Sequence, residues 1–217
     1  MLGQGKITTM FNGLIREIAE VKAYKNNILS LKASYKPKLG DSIAVNGACL
    51  SVIKLAQDGF DVELSKESRS HLALENYKDK VHIEPALRLS DRIDGHLMQG
   101  HIDFIATLEK IEKIENGVDF YLKLPTKAMP LMSEKGSIGV DGVSLTINEV
   151  FTNSIRLTII PISFKETLFH SYKIGRKINI ESDLLARYTL RWLECKNAKT
   201  DQKELSWEHI DRISFLY

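Results

Sequence analysis

The segment Gly95-His96-Leu97-Met98-Gln99-Gly100-His101 places two imidazoles beside two glycines near the middle of the chain. An imidazole titrates near neutral pH and can carry a proton in either direction. It can also bind zinc, but a separation of five residues suits neither one helix face nor an H-x₃-H pair, and no cysteine lies nearby. The plainest reading is a turn with two exposed histidines. Cys49 offers a thiol that could act as a nucleophile, although a buried strand cysteine commonly only packs. Asp183 follows a strand and could simply cap a helix beginning at Leu184. Lys135 precedes a glycine turn and reads as solvated. Gln4-Gly5-Lys6 lacks the phosphate-binding frame, and no GxGxxG follows a strand, so nothing points to a nucleotide.

The elements that must position these groups repeat. Ser42–Ile53 (SIAVNGACLSVI) and Ser137–Asn148 (SIGVDGVSLTIN) match in register, and Glu67–Glu84 parallels Phe164–Glu181. An upstream echo pairs Phe11–Val21 with Phe104–Glu115. Such order implies duplication. Asn46-Gly47 and Asp141-Gly142 stand between alternating apolar and polar runs, the pattern of a tight hairpin whose turn residues need positive φ. Further short strands are expected at Ile28–Ala33, Phe60–Leu64, Val81–Glu84, Val118–Leu124, Ile155–Ile160 and Lys177–Glu181, which suits small barrels or sandwiches. Leu184, Tyr188, Trp192 and Cys195 recur at helical spacing, widened by Leu185 and Leu193. Lys196–Glu204 reads as a polar loop, and Trp207, Ile210 and Ile213 as a second short helix. A helix outside two closed barrels must cover a domain surface or another subunit.

Composition narrows the class. The 217 residues are 43% hydrophobic and 27% charged, which is globular. A net charge of +2 gives no case for nucleic acid or an anionic membrane. No apolar run approaches the roughly 18 residues of a spanning helix, and Met1–Thr9 lacks the apolar stretch of a secretory signal, reading instead as an extension. Two cysteines suit a reducing cytosol better than a disulfide framework, so a cytoplasmic protein is expected.

Five ordered segments then make a specific pattern: Phe11-Asn-Gly-Leu-Ile15, Asn46-Gly-Ala-Cys-Leu-Ser51, Gly95–His101, Asp141-Gly-Val-Ser-Leu-Thr146 and Asn179-Ile-Glu-Ser-Asp183. From Met10 to about Leu193 the chain resembles the riboflavin synthases of the α-chain type, built from two lumazine-binding repeats. The resemblance implies a mainly β fold of two similar six-stranded Greek-key barrels plus a C-terminal α-helix. Boundaries are expected at 1–9 (extension), 10–96 and 97–185 (barrels) and 186–217 (helical oligomerisation segment). It also implies a homotrimer, and association with lumazine synthase as a further partner. The implied reaction is the dismutation of two molecules of 6,7-dimethyl-8-ribityllumazine by four-carbon transfer, without metal or cofactor. A non-catalytic, antenna-type binder of lumazine or flavin is the alternative.

Carried over by residue, Gly13, Leu14 and Ile15 line the N-terminal pocket. Cys49, Leu50 and Ser51 form its second wall, and Glu63, Leu64, Ser65, Lys66, Glu67 and Ser68 a third. Gly100, His101 and Ile102 lie at the join. Lys135, Ser144, Leu145 and Thr146 line the C-terminal pocket, with Ile160, Pro161, Ile162, Ser163, Phe164 and Lys165 as its last wall. Ser42, Cys49, His101, Ser144 and Asp183 match positions implicated in chemistry. His101 is the best proton-transfer candidate by type, Cys49 could add to the acceptor ring or only pack, and Asp183 could orient a hydroxyl or anchor the ribityl chain. Departures lie at Asn12 and Ser51, where the family often has Thr, at Ala48, and at Asp94, often Gly.

Overall fold

Residues 9–200 are described by the computed structural model. The first half forms β1 (Glu17–Lys25), β2 (Ile28–Lys32), β3 (Ser42–Val45), β4 (Ala48–Ala56), β5 (Gly59–Glu63), the short helix α1 (Lys66–His71) and β6 (Lys80–Pro85). These strands close a barrel in the order β1-β2-β5-β4-β3-β6. Three consecutive hairpin strands with β2 returning beside β5 make this a Greek key. The second half gives β7 (Phe104–Ile114), β8 (Gly117–Lys123), β9 (Ser137–Val140), β10 (Val143–Thr146), β11 (Glu149–Val150), β12 (Ser154–Ile159), α2 (Pro161–Glu166) and β13 (Lys177–Ser182), followed by α3 (Leu184–Thr200).

The second sheet runs β10-β9-β13-β7-β8-β12-β11, seven strands where six were expected. Its two end strands are the halves of one counterpart of β4. β4 crosses from β3 to β5 on a bulge between Val52 and Lys54. At the equivalent point the second sheet parts at Ile147-Asn148. There Asn148 N–H turns to Arg156 O and the Asn148 side chain accepts Thr158 N–H, while the bond from Ile147 N–H to Gly136 O repeats that from Val52 N–H to Asp41 O in the first barrel. The register on either side is preserved, with Lys54 opposite Asp61 and Glu149 opposite Arg156.

Alternation fills both barrels. Leu29, Leu31, Phe60, Val62 and Ile83 point into the first core, and Ala106, Leu108, Phe120, Leu157 and Ile180 into the second. Both expected hairpins form, with Asn46 and Gly47 at φ 44 and 82 and Asp141 and Gly142 at φ 44 and 85. These turns face each other across the barrel–barrel interface. A Cβ on Gly47 would lie 2.8 Å from Gly142 N, and one on Gly142 2.7 Å from Gly47 N, so neither turn tolerates a side chain there.

Around this contact the two halves exchange hydrogen bonds reciprocally. Ala73 N–H donates to the Asn179 side-chain oxygen, and Leu168 N–H donates to His82 Nε2. His82 Nδ1–H donates to Asp141 O, and Asn179 Nδ2 donates to Asn46 O. Burial forces His82 down to about 4, so the ring is neutral, with Nδ1 carrying the proton. Asp141 is fully buried, held by the Tyr172 hydroxyl and by Arg176 at 3.6 Å.

Three corrections concern elements. β1 and β7 were not expected as strands, and β1 aligns with β7 through Glu17 and Phe104, so Phe11 corresponds to Met98 and not to Phe104. The helix α3 continues through Thr200, where a loop from Lys196 was expected. The short helices α1 and α2 were not foreseen. The second C-terminal helix and the extension up to residue 8 lie outside the described residues. Among the described residues no helix is long and apolar enough to cross a membrane.

Candidate functional site

Two related half-sites emerge, each where a glycine-containing segment seals the end of a barrel. In the first, Cys49 N–H donates to Gly100 O at 2.8 Å; in the second, Ser144 N–H donates to Gly13 O at 2.9 Å. Cys49 and Ser144 hold equivalent positions on β4 and β10. Each position requires glycine on two counts, a positive φ and the lack of room for a Cβ: Gly100 would meet Cys49 Cβ at 2.6 Å, and Gly13 would meet Ser144 Cβ at 2.5 Å.

A buried carboxylate fixes each segment from behind. Glu84 on β6 accepts Asn12 N–H at 2.8 Å and Gly13 N–H at 3.1 Å. Glu181 on β13 accepts Gln99 N–H at 2.7 Å and Gly100 N–H at 2.9 Å. Burial pushes both carboxyls up to about 7 against the pull of these N–H donors. Phe11 and Met98 bridge the two segments by a reciprocal pair of main-chain bonds, and both side chains are buried with Ala44.

This corrects the expected grouping. Gly13, Leu14 and Ile15 do not belong with Cys49; Gly13 bonds Ser144, and Ile15 packs on the second core. Gly100, His101 and Ile102 belong with Cys49, since Gly100 bonds it and Ile102 packs on the first core. Each segment precedes one barrel in sequence and walls the site of the other. The physical reason is the tether: once Glu84 chelates Asn12 and Gly13, the Gly13 carbonyl faces β10 and not β4.

In the first half-site Ser42 and Ser51 stand opposite each other on β3 and β4, and Ser51 is also opposite Glu63 on β5. Burial raises the Cys49 thiol, partly offset by its hydrogen bond to Ser42, and the Glu181 charge raises it further. It is therefore a protonated thiol at neutral pH, ill-suited to attack as thiolate. Thr9 donates to Ser42 at 3.2 Å. Leu50 and Leu64 turn into the core, so they can offer a ligand only main chain. Ser65 caps α1 by accepting Ser68 N–H, which places Lys66, Glu67 and Ser68 on the exposed first turn. A cavity of about 290 Å³ opens beside Ser42 and Ile43, bounded by Tyr35, Lys38 and Ala86 to Arg88. His101 follows Gly100 as an exposed side chain.

In the second half-site His96 Nδ1 lies 2.7 Å from the Ser144 hydroxyl. His96 is only 9% exposed, and its Nε2 is buried without a hydrogen-bond partner among the described residues. Burial lowers its basicity, against the pull of Asp183. The expectation of two exposed histidines thus holds for His101 and fails for His96. The only hint in the sequence was Gly95, where a Cβ would lie 1.9 Å from Asn12 O. Asp183 caps α3, accepting Leu185 N–H at 2.8 Å. Leu145 is half-buried on the second core, Thr146 is exposed, and Lys135 lies at φ 63 just before β9. Ile160 and Ile162 are exposed around Pro161 at the start of α2, and Ser163 O accepts from Thr167. Phe164 packs on the second core, and Lys165 lies in the helix's last turn.

Residues 12–86 and 99–183 each match the lumazine binding domain family. The riboflavin synthase of Photobacterium phosphoreum is 36% identical over 217 residues, covering 95% of this chain and 100% of its own. That of Bacillus subtilis (strain 168) is 34% identical over 215 residues, with 95% and 100% covered. Among solved structures, LumP complexed with riboflavin shares the fold at a TM-score of 0.71 and 20% identity, over 79% of this chain and 98% of that one. LumP with 6,7-dimethyl-8-(1'-D-ribityl) lumazine gives 0.68 at 19% identity.

Proposed function

From the premise that the chain belongs to the riboflavin synthase family and carries the lumazine binding domain twice, we propose that it catalyses the dismutation of two 6,7-dimethyl-8-ribityllumazine molecules to riboflavin and 5-amino-6-ribitylaminouracil. The observation that carries this reading is the doubled half-site. Both halves keep the same sealed wall, with Glu84 and Glu181 in the same role, while the residues facing it have diverged. Cys49 stands where the other half has Ser144, and His101 where it has Leu14. A reaction between two copies of one molecule needs that combination: the same ring recognised twice, in two different reactive settings.

Chemically, one lumazine loses a proton from its C7 methyl group and the other takes hydroxide from solvent water at C7, which is released again as water before the products form. The four-carbon unit then passes from one ring to the other. Both products derive wholly from the two substrates, so no oxidant or reductant enters. His101 is assigned the proton transfer, since it is an exposed imidazole beside the Gly100 wall, and imidazole is the side chain best suited by type to acid–base work. Cys49 and Ser42 supply a hydrogen-bonding thiol–hydroxyl pair instead of a covalent nucleophile. Ser144, held by His96, is assigned to the second ring, and Asp183 to its ribityl chain. Alignment of the two rings at near-attack distance would supply much of the acceleration, roughly 7–11 kcal/mol.

The paired half-sites are proposed to come from neighbouring subunits of a homotrimer. The exposed apolar residues of α3, Leu185 at 74%, Tyr188 at 64% and Trp192 at 62%, support that assembly. The deciding experiment mixes purified protein with ribityllumazine alone in the presence of chelator. Riboflavin fluorescence should appear together with the pyrimidine product. Tight binding with no riboflavin formed would replace this reading with the antenna-type binder.

A further inference from the structure

The two clamping carboxylates are not equivalent. Glu84 has no ion-pair partner among the described residues, and the charge acting on it is that of Glu181. Glu181 is reached by Arg187 of α3, whose Nη2 lies 3.3 Å from Glu181 Oε1 and 3.2 Å from the Gln99 side-chain oxygen. The Nη1 of the same guanidinium lies 3.4 Å from Asp103, which in turn accepts Ser182 N–H and the Ser182 hydroxyl. One arginine, one turn into the helix, therefore touches the carboxylate, the segment it holds and the start of the second barrel.

We propose that Arg187 and Glu181 form a positioning unit that ties the C-terminal helix to the first half-site: the guanidinium holds the carboxylate, and the carboxylate fixes the Gly100 peptide against Cys49 immediately ahead of His101. The contact leaves little slack. Glu181 is fully buried, its two oxygens take two successive N–H groups, and the Gly100 carbonyl is already bound to Cys49 N–H. Whatever seats α3, including the assembly proposed above, is thus felt at the wall carrying His101. Among the described residues the Gly13 wall has no such connection. The inference rests on the proposed function for its consequence in turnover, but not for the coupling itself.

The groups facing Glu181 are the Gln99 and Gly100 amides, Arg187 from α3, Asp103 before β7, Glu84 on β6 and the Cys49 thiol on β4. Below about pH 7 a proton on Glu181 leaves one oxygen as a poor acceptor for its amide, and the wall loosens. Removing Arg187 removes the cation that favours the ionised form, so the midpoint must move up.

The test uses the full chain. Amide NMR of the ligand-free protein follows Gly100 from pH 5.5 to 8.5, and riboflavin binding and turnover are measured over the same range. Arg187→Gln should raise the Gly100 titration midpoint and lower turnover at pH 7 by about 10- to 100-fold, the worth of a hydrogen bond to a charged group. Arg187→Lys should recover part of both. Glu181→Gln should abolish the titration, and adding Arg187→Gln to it should change little more. Glu84→Gln should leave the Gly100 titration in place. An unshifted Gly100 midpoint in Arg187→Gln, or effects of the two changes that simply add, would overturn the proposal. If the wild type neither binds riboflavin nor turns over while Gly100 still titrates as described, the functional reading fails and the coupling stands.

Discussion

At the scale of single residues, the proposed function separates a group assigned to proton transfer from groups that hold shape. His101→Gln keeps size but cannot titrate near neutrality. Its kcat should fall roughly 10²–10⁴-fold with KM little changed, as expected for an acid–base group. Cys49→Ser should retain most turnover, because a buried, protonated thiol bonded to Ser42 is replaced by another hydrogen-bonding group. A loss as large as that of His101→Gln, measured by stopped flow, would restore the covalent role. Gly100→Ala should cost about 1–3 kcal/mol in backbone strain alone, and more from the contact with Cys49 Cβ at 2.6 Å. A fall in Tm together with lost riboflavin binding would report it. Sequence singled out His101, Cys49 and Ser144 as candidates through residue type and motif. It concealed the buried state of His96 and the work of Glu84 and Glu181, because their partners lie 48 to 82 residues away in the chain.

At the scale of elements, short strands with clean alternation and Asn-Gly or Asp-Gly turns were readable, and their boundaries fall within a residue or so. β1 escaped because Glu17–Lys25 is mostly half-buried or exposed and rich in Glu and Lys; only Ala19 is fully inside. β7 has the same character toward its end. The split of β10 from β11 depends on where individual amides turn, which no periodicity records. The barrel–barrel seam carries its own pH dependence. His82 is held down to about 4, below the usual imidazole value, so it lends stability that is full above about pH 6.5 and is lost as pH falls toward 4. The difference is worth about 3 kcal/mol. Thermal melts should therefore show an acid-side decline that is flattened in His82→Asn, whose amide can mimic the equivalent Asn179. His82→Ala should lower stability at every pH, because Leu168 N–H and Asp141 O lose their partner.

At the scale of the whole molecule, truncation after Asp183 should yield monomers by ultracentrifugation that still bind riboflavin but turn over poorly. A fully active monomer would refute the proposed pairing of half-sites between subunits. The duplication and two-barrel plan were legible because repeats survive as aligned motifs. Which segment walls which barrel was not, since that is fixed by a tether and a chain crossing. That crossing has a consequence during synthesis. The Gly13 segment leaves the ribosome first, yet its Ser144 partner follows about 130 residues later, on the order of 10 s at roughly 5–20 residues per second. For roughly the first two thirds of that interval the buried Phe11 lacks Met98 as well, until residue 98 emerges. The Gly13 segment is thus among the last to find its place, and a nascent first barrel carries the apolar Phe11 segment with nowhere to dock, the species that a holding chaperone would be expected to meet.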